Sequence, residues 1–103
     1  MPRDVLSGLT QWYSNHCDGE REHHHGITMQ TTDNPGWWVK IDLTDTELAG
    51  RAFPPIREGV GPDGFPAQPR WLDCRVQETK WHGAGDESRL AEIIGHFLAW
   101  ATG

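Results

Sequence analysis

Residues 90 to 101 constrain this chain most: Leu90, Ile93, Ile94, Phe97, Leu98 and Ala101 recur at the i, i+3, i+4, i+7 spacing of a helix with one apolar stripe. A helix so patterned draws most of its stability from burying that stripe against another element. The segment from residue 37 to 44 has a different period. Trp37, Val39, Ile41 and Leu43 fall on one face, with Trp38, Lys40, Asp42 and Thr44 on the other, as in a half-buried strand.

The same two periods place the remaining elements. Asp4 is positioned to cap a first helix of about thirteen residues, with Val5, Leu9, Trp12 and Cys17 at helical spacing and a stop near Asp18-Gly19. From His25, Ile27 and Met29 alternate with Thr28 and Gln30, and the turn-forming run TDNPG from residue 32 to 36 closes a hairpin onto the strand at 37. Arg51 to Glu58 is a further strand interrupted by Pro54 and Pro55, hence short or at an edge. Residues 59 to 69 form a Gly/Pro-rich surface loop, the segment expected to be most mobile. Leu72, Cys74 and Val76 alternate with Asp73, Arg75 and Gln77, a turn at Glu78-Thr79 leads to a last strand around Lys80 to Gly83, and Asp86 is placed to cap the closing helix. Strands grouped between helices predict an α+β domain, 1–103, with an antiparallel sheet of four or five strands flanked by an N-terminal and a C-terminal helix.

Composition narrows the function. Fifteen acidic residues against nine basic ones give a net charge of −6 without any Lys/Arg cluster, which disfavours direct nucleic-acid binding and suits a basic protein partner. No apolar run is long enough to span a bilayer, and the first residues lack the order of a signal peptide, so a cytoplasmic protein is expected. Cys17 and Cys74 are read as reduced thiols.

Catalytic signals are weak. In an extended segment only His23 and His25 of the triplet at 23–25 can share a face, too few ligands for a zinc site, and no CxxC or HExxH spacing accompanies them. Cys74 lies mid-strand between Leu72 and Val76, where a thiol is inert packing. Nothing calls for a cofactor. The alternative to a binding protein is a small thiol- or metal-dependent enzyme using Cys74, His82 and the triplet. Five of the six tryptophans fit a core or its rim, whereas Trp38 shares its face with Lys40 and Asp42 and is a candidate anchor for a protein partner.

The segments QWY at 11–13, Cys17-Asp18-Gly19, His25-Gly26-Ile27, DNPGW at 33–37 and KIDL at 40–43, followed by WLDCRV and a closing helix ending HFLAWA, resemble the immunity protein 53 family of bacterial polymorphic toxin loci. The resemblance runs from Leu9 to Ala101 and implies an α+β immunity protein that binds and neutralises a cognate toxin, with no catalytic residue to carry over. The loop from Gly59 to Pro69 and the histidines ahead of His25 depart from the family's pattern and are candidate places for specificity. A basic nuclease is the toxin class that an acidic surface would suit. The candidate toxin-binding residues are Trp38, Asp42, the acidic group Asp18, Glu20 and Glu22, and Asp33 and Asn34 at the turn.

Overall fold

A computed structural model describes residues 4–33 and 35–102, so Asn34 lies outside the described residues. Helix α1 (Val5–Asn15) is followed by a single 3-10 turn at Arg21–His23 and the strands β1 (Ile27–Thr32) and β2 (Gly36–Asp42). Then come β3 (Ile56–Glu58), β4 (Leu72–Gln77), β5 (Lys80–Asp86) and helix α2 (Leu90–Thr102). The strands form one antiparallel sheet in the order β1-β2-β5-β4-β3, the α+β arrangement expected.

Both helices lie on one face. Leu9 and Trp12 of α1 and Ile93, Ile94 and Phe97 of α2 close over Val39, Ile41, Leu72, Cys74 and Trp81, all of them buried. Glycine sets how closely α2 approaches: a Cβ at Gly83 would stand 2.5 Å from Ile93 Cγ2 and 2.5 Å from the Trp81 ring, so only a bare backbone fits there. The Trp81 ring, fully buried, meets Phe97 and Phe53 edge to face across the gap this leaves.

Several boundaries differ from the sequence reading. Asp4 does cap α1, accepting the Leu6 N–H at 3.3 Å, but the helix ends at Asn15, where the His16 ring turns back onto the Trp12 carbonyl at 2.8 Å. Gly19, with φ +93°, shapes the loop beyond rather than the helix end. Asp86 belongs to the end of β5, which continues past Gly83, and its buried carboxylate accepts the N–H groups of Trp71 at 2.9 Å and Ser88 at 3.0 Å. It ties β4, β5 and the start of α2 together instead of capping the helix. The third strand begins at Ile56, after Pro54 and Pro55, instead of at Arg51, and is the short edge strand expected.

Candidate functional site

The helices leave the opposite face of the sheet uncovered, and alternation brings Trp38, Lys40 and Asp42 of β2, His82 of β5, Arg75 of β4 and Arg57 of β3 onto it. Trp38 is half-buried at the centre. Its ring lies nearly parallel to the His82 imidazole, 13° between planes and 6.0 Å between centroids, and its indole N–H donates to His82 Nδ1 at 3.3 Å. Lys40 Nζ sits 5.6 Å from the Trp38 ring centroid. Burial first, then the positive charges of Arg75, Lys40 and Lys80, pushes the His82 pKa down, so the ring stays neutral and its Nδ1 remains free to accept. The result is an indole–imidazole pair with one cation, Lys40, beside the indole.

One end of this face is built from the loop between α1 and β1. Arg21 is only 6% exposed, and its guanidinium donates to the Thr44 carbonyl at 2.9 Å and the Asp42 carbonyl at 2.6 Å, pinning the loop to the end of β2. Asp18 accepts the N–H groups of Arg21 at 2.8 Å and Glu20 at 2.9 Å, which lowers its pKa. Glu22 is lowered by its own backbone N–H and by those of Asp18 and Gly19. At Asp42, burial opposes the charge, but donation from Thr44 and from His25 Nδ1 at 2.9 Å outweighs it and holds the carboxyl at about 2.

The acidic candidates therefore do not converge on one patch. Asp18, Glu22 and Asp42 brace the loop end, with Glu20 exposed beside them. Asp33 is exposed at the opposite end of the hairpin, about 20 Å away along the strand rise of β2. Trp38 lies between the two ends.

The residues of the enzymatic alternative are dispersed. Cys74 is fully buried, and burial, followed by the charges of Asp73, Glu92 and Glu58, pushes its thiol up to about 12, where no thiolate forms near neutral pH. Cys17 is exposed at the end of α1, with its Sγ donating to the Tyr13 carbonyl at 3.3 Å. His16 pairs with Glu47 at 2.8 Å, His25 with Asp42, and His82 with Trp38, while His23 and His24 are exposed. Among the described residues, no three His, Cys, Asp or Glu side chains gather in a metal-holding group.

The described residues form a small α+β domain with both helices on one face of its sheet. The family model of immunity protein 53 matches residues 6–102, and the chain belongs to that family. No curated protein and no solved structure matches it. Membership makes it an immunity protein, with a toxin implied as partner and no enzymatic activity suggested. Among the described residues no helix is long and apolar enough to cross a membrane. Reading the sequence missed Arg21, and it named His82 only for the enzymatic alternative, not as the partner of Trp38. Arg21 gives no periodic signal, and the His82 contact exists only because β5 inserts beside β2.

Proposed function

We propose that this immunity protein binds a cognate polymorphic toxin in the cytoplasm of the producing cell and neutralises it by occluding its active site. The reading is carried by the family match over residues 6–102. The open sheet face supports it, since a half-covered tryptophan flanked by charged side chains is the composition of an interface anchor. The toxin-binding surface runs along the β1–β2 hairpin, with Trp38 at the centre, Asp42, Asp18, Glu20 and Glu22 at one end and Asp33 at the other; Asn34, next in the sequence, is the remaining candidate. Acidic ends suit a toxin with basic flanks, such as a nuclease, whose association they would accelerate.

Co-expression with the toxin encoded in the same locus tests the reading. Growth is rescued and a stable complex co-purifies; lack of rescue together with lack of a complex would refute it. Trp38→Ala weakens the complex by at least ~2 kcal/mol, read by titration calorimetry on a variant shown to be folded by circular dichroism; unchanged affinity would dismiss Trp38 as an anchor.

A further inference from the structure

The open face has a charge pattern that the chain as a whole does not. The net charge is −6, yet Lys40 and Lys80, the two lysines of the sequence, both lie on this face, together with Arg75 and Arg57. The other described cations are engaged elsewhere. Arg21 is buried against backbone carbonyls, Arg70 and Arg89 reach the Asp86 carboxylate, and Arg51 donates to the Trp100 carbonyl. Of the carboxylates on the face, Asp42 accepts a hydrogen bond from His25 and lies 3.9 Å from Lys80, and Asp73 pairs with Arg75, while Asp63 of the loop lines the same hollow as Arg57 without an ion pair among the described residues. Lys40 and Arg57 make no ion pair among the described residues.

We infer that the sheet face around Trp38 is the seat of a carboxylate-rich patch on the partner protein. Trp38 supplies the apolar anchor, and Lys40 with Arg57 supplies the counter-charge. This rests on the toxin-binding reading and adds the sign of the partner's charge at the contact: acidic against the centre of the face, basic only where the acidic ends of the hairpin reach. Electrostatic fit of this kind decides which partner is accepted, because a like-charged surface brought against the same lysine would be repelled. A phosphate backbone would satisfy the same cations and could stack a base on the indole, so the test must separate the two.

The binding partner for the test is the inactivated toxin from the same locus, titrated calorimetrically against the wild-type chain, Lys40→Met, Lys40→Glu and Arg57→Glu. Each variant is first checked for a wild-type circular dichroism spectrum. Lys40→Met weakens binding several-fold and keeps the aliphatic stem over the ring. Lys40→Glu weakens it at least 30-fold, and Arg57→Glu, three strands away from Trp38 and without contact to its ring, weakens it several-fold. Equal or tighter binding by both reversed variants overturns the inference while the toxin-binding reading stands. Failure of the wild-type chain to bind the toxin removes both. Micromolar binding of a single-stranded oligonucleotide that competes with the toxin overturns it in favour of a nucleic-acid face.

Discussion

Arg21 and Asp42 hold one end of the molecule with opposite chemistry. The Arg21 guanidinium satisfies two main-chain carbonyls in a place water barely reaches, so Arg21→Ala orphans both acceptors and costs about 3 kcal/mol, read as a shift in the urea midpoint at unchanged slope. Lysine does not restore it, because one ammonium lacks the planar fork that spans both carbonyls. Asp42 makes stability depend on pH. Its folded carboxyl titrates at about 2 against an ordinary 3.8, so it contributes about 1 to 2 kcal/mol above pH 4 and loses that as pH falls from 4 towards 2. Thermal unfolding of the wild-type chain and Asp42→Asn should differ most at pH 7 and converge near pH 2. Both residues stand plainly in the sequence, but nothing local to them shows that one closes a loop and the other braces a histidine seventeen residues away.

At the scale of elements, the two periods were legible because burial is one-sided. The rows Val39/Ile41 and Leu72/Cys74 and the stripe Ile93/Ile94/Phe97 are all buried, each on the face its spacing predicts. Where side chains vanish, periodicity falls silent. The strand at Lys80 runs on to Asp86 because Gly83, Ala84 and Gly85 continue the ladder with β2 and β4, although they carry no apolar signal. Gly83→Ala tests this packing: the added methyl group must displace Ile93 or Trp81, costing roughly 1 to 3 kcal/mol and lowering the melting temperature by at least about 4 °C. A surface Ala84→Ser control, on the other face of the same strand, should leave the melting temperature nearly unchanged.

At the scale of the molecule, the described residues share one apolar cluster joining both helices to β2, β4 and β5, which argues that the chain unfolds as a single cooperative unit. Tryptophan fluorescence and far-UV circular dichroism should give coincident urea transitions; separated midpoints would indicate independent parts. At this scale the candidate site was only half legible. Alternation alone places Trp38 beside Lys40 and Asp42 and away from the apolar row, but it cannot show which strand lies next to β2. Because β5 inserts there, Trp38 meets His82, and Arg75 arrives from β4 one strand further on. The helix and strand types, the apolar face of each, the blunted edge at Pro54 and Pro55, and the family could all be read along the chain, because they are properties of spacing, composition and motif within short stretches. The strand order, the burial of Arg21, the place of Asp86 and the gathering of cations on the open face emerge on folding, because each depends on contacts between residues far apart in the chain, whose pairing no local periodicity encodes.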